Sequence, residues 1–416
     1  MIKKKVLVVG LGYVGINIYF HLCKKFKNVY GLEISEKKID EIKNNIDSTG
    51  QIKNLNVIKK KNISKDFDNI KFDFIIICVP TPLLDGNPDL SLISSAFKKI
   101  KKLIYQNTII INESTVYPGL TRKLALKYIE DKNLKLNKNY FIGFSPERIS
   151  PGDKINFKKI NKIVSGSNNF CLKQIKKFYS NLLDSKIIEA KSIEAAEAAK
   201  LLENCQRDVN IAMINEFNIF LKRLNIDTIE TIKLASSKWN FYEVYPGLVG
   251  GQCIPIDPSY AIDIAKKNKI KLSLIEKARA INENEKLKLY KIIKNFLRNY
   301  KSSRVLFYGL SYKSNTSDHK YSKVFEVFKN IKKTHKNCFY YDKLINSVLI
   351  NNKITGKIEQ NSISNFDLII IGNSIKKNEF NAIHKKFIKK NTKIINLTNF
   401  TIYNLKKNKI IYQPFV

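Results

Sequence analysis

Short apolar runs punctuated by glycine and hydroxylic residues recur along the chain in one order, and that order comes twice. KKKVLVVGLGYVG is an apolar strand that runs into Gly10-Leu11-Gly12-Tyr13-Val14-Gly15 and then into a stretch of helical spacing. A second strand, NVYGLEIS, ends near Glu33, and FDFIIICVPTP (72–82) and NTIIINEST (107–115) read as further buried parallel strands. Near the C-terminal end RVLFYGLSYK (304–313), CFYYDK (338–343), FDLIIIGNS (366–374) and NTKIINLTN (391–399) echo these four in the same order. The repeat is one of fold, and it predicts an α/β protein with two Rossmann-like doubly wound domains joined by a central helical segment. That segment is expected in KSIEAAEAAKLLENCQRDVNIAMINEFNIFLKRLNI (191–226) and LIEKARAINENEKLKLYKIIKNFLRNY (274–300), which carry apolar residues at helical spacing and no proline. The expected boundaries are 1–190, 191–300 and 301–416. The middle part would serve as a hinge and dimer surface, or simply pack against the first domain.

GxGxxG gains weight from its setting, with a strand before it, a helix after it and a carboxylate at Glu33 where NAD presents its ribose hydroxyls. The glycines let backbone amides and the helix N-terminus approach a pyrophosphate. Only the first half carries the full set, so the second is expected to hold something other than a dinucleotide.

Composition narrows the rest. At 416 residues and 44% hydrophobic, the chain is long enough for two or three domains with real cores. The basic start is followed by an apolar run broken at Gly10 and Gly12, which does not read as a signal peptide, and no apolar stretch reaches membrane-spanning length. A soluble, cytoplasmic protein is expected. The formal charge of +38 invites a nucleic-acid reading. Against it, arginine occurs only at positions 122, 148, 207, 223, 279, 298 and 304, so the excess is almost wholly lysine spread along the chain, without the bidentate fork favoured for phosphate. The expectation is no specific nucleic-acid partner, but attraction for an acidic substrate. Six scattered cysteines show neither a disulfide frame nor metal spacing, so no metal is expected. His21, His319, His335 and His384 lie in no glycine loop and beside no candidate serine nucleophile, which argues against a Ser/His/Asp triad.

One cysteine stands apart. PGLVGGQCIPIDP (246–258) holds Cys253 between glycines and prolines, where nearby charge can make a thiol reactive. Lys200 and Asn204, one turn apart on a helix face, and Asp257 could act on it. Equally, Cys253 could fill a tight corner and Lys200 be a solvated helix residue. ESTVYPG (113–119) and GFSPERISPGDK (143–154) follow strands, where α/β domains build sites. Glu147 beside Arg148 there reads as a catalytic carboxylate or as an ion pair at a loop.

In this order, GLGYVG, CVPTPL, ESTVYPG, GFSPERISPGDK, AAEAAKLLENCQRDVNIAMINE, SSKWNFYEVYPGLVGGQCIPIDP and GLSYKSNTSD resemble the UDP-glucose/GDP-mannose dehydrogenase family of nucleotide-sugar dehydrogenases over nearly the whole chain. The similarity is greatest to the branch that oxidises UDP-N-acetylglucosamine at C6 for O-antigen or capsule polysaccharide. UDP-N-acetylmannosamine and UDP-glucose are the alternative substrates. The resemblance implies oxidation of the C6 alcohol to the acid with two NAD⁺, the aldehyde being held as a thiohemiacetal and then a thioester on Cys253. It implies that Lys200 and Asn204 stabilise the oxyanion, Asp257 helps move the first proton, Glu147 activates the hydrolytic water and Thr115 orients water and cofactor.

For NAD the resemblance implies Gly10, Leu11, Gly12, Tyr13, Val14, Gly15, Glu33, Lys38, Thr81, Thr115 and Lys320. For the UDP-sugar it implies Glu147, Arg148, Lys200, Asn204, Arg207, Lys238, Gly250 and Lys313, with UDP on the C-terminal domain. A homodimer or higher homo-oligomer is the implied assembly. The glycines before Cys253 are expected to leave room for the sugar. Three positions depart from the family pattern: Gln252 replaces a histidine, Lys320 an arginine, and Ser259 an aromatic residue. They leave a silent UDP-sugar- and NAD-binding regulator as the non-enzyme alternative.

Overall fold

The Val6–Val9 and Phe74–Ile77 runs are buried on both faces of a parallel sheet, the arrangement that unbroken apolar strands require. The structure, a computed structural model, describes residues 3–52, 54–68, 70–148, 159–314, 316–359, 366–372, 375–379, 381, 388, 391–398 and 410–412. Residues 149–154 of GFSPERISPGDK, Asn315 of GLSYKSNTSD and the last residues of FDLIIIGNS and NTKIINLTN lie outside these. The chain forms two units, Met1–Glu203 with Ser259–Ile270 and Asn204–Pro258 with Lys271–Val416.

The first unit holds β1 (Lys5–Val9), β2 (Asn28–Leu32), β3 (Ile63–Ser64), β4 (Phe74–Ile77), a small hairpin of β5 (Leu83–Leu84) and β6 (Asn87–Pro88), β7 (Thr108–Asn112) and β8 (Tyr140–Phe144). Apart from the hairpin these make one six-stranded parallel sheet in the order β3-β2-β1-β4-β7-β8. Successive strands step outward from β1 on one side and from β4 on the other, which opens a crevice at their carboxyl ends. A separate parallel pair, β9 (Lys162–Val164) with β10 (Ile187–Glu189), follows. Helices α1 (Tyr13–Lys25), α2 (Glu36–Lys43), α3 (Ser91–Ile100), α4 (Leu120–Tyr128) and α5 (Asn169–Ser180) belong to this unit. Ile16, Tyr19 and Leu22 of α1 and Ile175, Phe178 and Tyr179 of α5 join Val6, Val8, Phe74 and Ile76 in one core. Each such buried side chain contributes on the order of 1.5–3 kcal/mol.

Proline-free sequence between 191 and 226 gives α6 (Ile193–Arg223), one continuous helix of 31 residues. The expected central segment 191–300 is thus divided between the two units, with α6 and α8 (Asp257–Lys267) each running across the division. The second unit also contains α7 (Thr228–Ala235), α9 (Ser273–Asn299) and α10 (Lys323–Thr334). Its sheet of β11 (Val305–Tyr308), β12 (Cys338–Tyr341), β15 (Leu368–Ile371), β16 (Lys393–Asn396) and β17 (Ile410–Tyr412) is parallel in the order β12-β11-β15-β16-β17. A hairpin, β13 (Ser347–Ile350) with β14 (Lys353–Gly356), lies in the chain between β12 and β15.

The internal echo extends to hydrogen bonds. In the first unit Gly10 N–H donates to the Leu32 carbonyl at 2.8 Å and Leu11 N–H to Glu33 Oε2 at 2.9 Å. In the second, Gly309 N–H donates to the Tyr341 carbonyl at 2.8 Å and Leu310 N–H to Asp342 Oδ2 at 2.8 Å.

Candidate active site

At the carboxyl edge of the first sheet, Gly10 ends β1 with φ +84°, and a Cβ added at Gly15 would lie 1.8 Å from the Gly10 carbonyl oxygen. Neither position admits a side chain, whereas Gly12, the N-cap of α1, faces open space. No side chain caps α1 and no acidic residue occupies its first turn, so the amides of Tyr13 and Val14 belong to an electropositive helix end. Glu33 at the end of β2 is buried. Its carboxylate accepts the Leu11 amide and, at 3.0 Å, the Ser35 amide, so it fixes the glycine loop besides being placed for a ribose. Lys38 in α2 is half-buried, and desolvation lowers its pKa against the raising effect of Glu33. Thr81 follows β4 and Thr115 follows β7, both half-buried on the same edge. The residues expected to hold NAD in this unit therefore gather at the ends of β1, β2, β4 and β7, an arrangement that fits a dinucleotide. Lys320 lies in the second unit and is exposed.

Three acids are buried beside this edge. Glu147, after β8, directs Oε2 at Lys162 Nζ, 2.9 Å away, and the same ammonium is 2.7 Å from Glu113 Oε2. Tyr179 OH donates to Glu113 Oε1. Burial raises the pKa of Glu113. Burial also opposes the charge on Lys162, but Glu113 and Glu147 outweigh it and its pKa is raised. Lys200 on α6 donates to the Glu147 carbonyl at 2.9 Å, and Arg148 forms a two-pronged pair with Glu203, at 2.7 and 3.3 Å. The other buried acid, Glu197 on α6, accepts the amides of Gly119 and Thr121 at 2.6 and 3.0 Å and so ties down the start of α4 after ESTVYPG.

In the second unit the Cys253 loop is pinned at both ends. Asn215 of α6 accepts the Gly247 amide at 2.8 Å and donates to its carbonyl at 3.2 Å. The Cys253 carbonyl accepts the amides of Ile256 and Asp257 at 3.0 and 2.8 Å, so the loop winds directly into α8. Asn204 donates to Asp257 Oδ2 at 2.5 Å, and Arg207, exposed, donates to Asn204 Oδ1 at 3.5 Å.

Gly250 and Gly251 both lie against Tyr312. Added Cβ atoms would lie 2.9 Å from Tyr312 Cβ at Gly250 and 2.8 Å from Tyr312 Cε2 at Gly251, where φ is +96°. These glycines admit the tyrosine of SYK.

Gln252, the departure from histidine, donates Nε2 to Asp318 Oδ2 at 2.7 Å, and Asp318 Oδ1 accepts the Lys320 amide at 3.2 Å. The glutamine thus ties the cysteine loop to GLSYKSNTSD. Lys313 is half-buried, Lys238 is exposed just after α7, and Ser259 is half-buried in α8. Cys253 is half-buried, whereas Cys78, Cys171, Cys205 and Cys338 are buried. Burial raises the pKa of each of those four, to about 12 for the last three, and also raises that of the half-buried Cys23.

The structure brings together Glu147, Arg148 and Lys200 in one unit, and Cys253, Asn204, Arg207, Asp257 and Gly250 in the other. Glu113, Lys162, Tyr179, Glu197 and Asp318 are additions. A lysine inside the short apolar run NKIVSG was the available signal for Lys162, and a glutamate on the apolar face of AAEAAK for Glu197.

Residues 4–183 match the NAD binding domain of the UDP-glucose/GDP-mannose dehydrogenase family, and residues 194–284 match its central domain. Protein CapL of Staphylococcus aureus is 40% identical over 79% of the chain and 80% of its own length. The chain belongs to the UDP-glucose/GDP-mannose dehydrogenase family. As a family member it is an NAD-dependent nucleotide-sugar dehydrogenase. A UDP-N-acetyl-D-glucosamine 6-dehydrogenase of Pseudomonas aeruginosa is 36% identical over 79% of the chain and 80% of its own length. In fold, the chain is similar to a UDP-D-ManNAc dehydrogenase from Pyrococcus horikoshii, with a TM-score of 0.82, 24% identity and 98% of each chain covered.

Among the described residues no helix is long and apolar enough to cross a membrane, and no group of His, Cys, Asp and Glu is arranged to hold a metal ion.

Proposed function

We propose that this nucleotide-sugar dehydrogenase oxidises C6 of UDP-N-acetylglucosamine from alcohol to carboxylate, with Cys253 as the covalent nucleophile. The similarity to the Pseudomonas enzyme supports the sugar. The mechanism rests chiefly on Cys253, which stands half-buried on a pinned loop while burial disables four other thiols. When bound at the β1 edge, NAD⁺ supplies the hydride acceptor for both oxidations.

Asp257, held by Asn204, is the group for proton movement in the first oxidation, and Lys200 and Asn204 are oxyanion donors. The aldehyde is captured by Cys253 sulfur as a thiohemiacetal, whose oxidation gives a thioester. Water hydrolyses this, with Glu147 as base and Thr115 as orienting hydroxyl. Arg148, Arg207, Lys238, Gly250 and Lys313 are proposed sugar-nucleotide contacts, and Lys320 a cofactor contact. The product, a UDP-linked uronic acid, suits surface polysaccharide assembly, and a reduced thiol suits the cytoplasm. We further propose a homodimer. Met213, Phe217 and Phe220 on α6, with Leu224 just after its end, form a stripe, each about half exposed.

Incubation with NAD⁺ and UDP-N-acetylglucosamine, UDP-N-acetylmannosamine or UDP-glucose tests the assignment. The highest kcat/KM is expected for the first. A preference for either other sugar would overturn the substrate, and binding of sugar and NAD⁺ without NADH formation would establish a regulator instead.

A further inference from the structure

Lys162 is the least expected charge in the molecule. It is 3% exposed, in a three-residue strand, and both acids it meets are nearly as deeply buried. Burying two carboxylates and an ammonium is costly, and a well-packed apolar trio would serve stability as well or better. The arrangement is also directional. Lys162 Nζ lies between Glu113 Oε2 and Glu147 Oε2, 5.2 Å from the Tyr179 ring centroid, while Tyr179 OH donates to the far oxygen of Glu113. The other oxygen of Glu147 accepts the Arg148 amide at 2.8 Å, and Lys200 holds the Glu147 carbonyl. Glu147 is therefore gripped at Oε1, Oε2 and its backbone, and the grip of Lys162 also neutralises charge at its carboxylate.

We propose that Lys162 is a positioning residue for thioester hydrolysis: bridged to Glu113, its ammonium sets the orientation of the Glu147 carboxylate that receives the proton of the attacking water. This rests on the reading of Glu147 as the hydrolytic base. In the step concerned, water oxygen bonds to the thioester carbon and the C–S bond breaks. Its electron pair returns to Cys253 sulfur, and the water proton passes to Glu147 and on to solvent. Nothing is oxidised or reduced, so the two hydride transfers do not depend on Lys162. Among the described residues, the charged or titratable groups facing Glu147 include Lys162, Glu113, Cys78 and Lys200, with Tyr179 one contact further. Without the ammonium, Glu113 and Glu147 repel and a proton is retained between them, so the base is available only at higher pH.

The test uses full-length K162M, K162R and E147Q with NAD⁺ and UDP-N-acetylglucosamine, followed by quenched-flow intact mass and NADH absorbance. K162M is expected to give a burst of two NADH per subunit, then turnover reduced at least roughly hundredfold, with the acyl adduct accumulating on Cys253. Its residual rate should reach half-maximum at least about one pH unit higher than the wild type. K162R should restore most of the turnover, and E147Q should stall as the same adduct. If K162M is insoluble, E113Q/K162M removes one carboxylate with the ammonium, keeps the net buried charge, and must stall in the same way. Turnover of K162M within about threefold of wild type, or a loss without adduct, overturns the role of Lys162 while E147Q still stalls. Normal turnover of E147Q overturns the underlying reading and this proposal with it.

Discussion

Glu197 makes a prediction about pH that can be worked through from its contacts. Its side chain is fully buried on α6, accepts two backbone amides at the start of α4, and has Glu194, itself paired with Arg122, nearby. Desolvation dominates and raises its pKa from 4.5 to about 7. Between those values the folded chain holds a proton that the unfolded chain has released, so stability falls as pH rises through this window. The contribution is fully present below about pH 4.5 and spent above about pH 7. A gap of about 2.5 pH units at about 1.4 kcal/mol each amounts to about 3.5 kcal/mol, of which about 3 kcal/mol is lost between pH 4.5 and 8. Glu197→Gln cannot ionise, and it turns one acceptor into an NH₂ facing an amide, which costs a pH-independent amount of about 1–3 kcal/mol. Urea unfolding by circular dichroism from pH 4.5 to 8 should show the wild-type advantage over E197Q shrinking by about 3 kcal/mol as pH rises. Parallel pH curves for the two proteins, or an advantage that grows with pH, would refute the reasoning.

Three further outcomes follow from the geometry. Gln252→Ala removes a charge-linked hydrogen bond worth about 1.5–3 kcal/mol, so kcat/KM should fall roughly ten- to a hundredfold with little loss of NAD⁺ affinity by calorimetry. Gly251→Ala places a Cβ against Tyr312 at φ +96° and should destabilise the second unit by at least about 1–3 kcal/mol in thermal unfolding, without changing NAD⁺ binding. F217E/F220E should weaken self-association at least roughly tenfold by light scattering while each chain stays folded.

The strands were legible because apolar runs such as VLVV, FIII and LIII have few options other than a doubly covered parallel sheet, and the GxGxxG turn marked the NAD-binding part of the chain. The turn around Cys253 was legible because the glycines before it permit a tight backbone and the prolines after it leave few conformations. Less could be read where a role depends on what lies opposite in space. Gly250 and Gly251 signal close approach, but nothing in the chain says that Tyr312, some 60 residues on, is what approaches. Gln252 read as a missing imidazole, and only its bond to Asp318 shows it as an anchor. Lys162 was one lysine among many in a chain of net charge +38, and its burial between two carboxylates sets it apart.

The central claim is covalent oxidation on Cys253, and single-turnover analysis with limiting UDP-N-acetylglucosamine and excess NAD⁺ tests it most directly. Two NADH per sugar, a transient acyl mass on the peptide containing Cys253 and a uronic acid product are predicted, with C253S forming neither the acyl mass nor the acid. One NADH per sugar with a free aldehyde, or an unchanged rate in C253S, would contradict it.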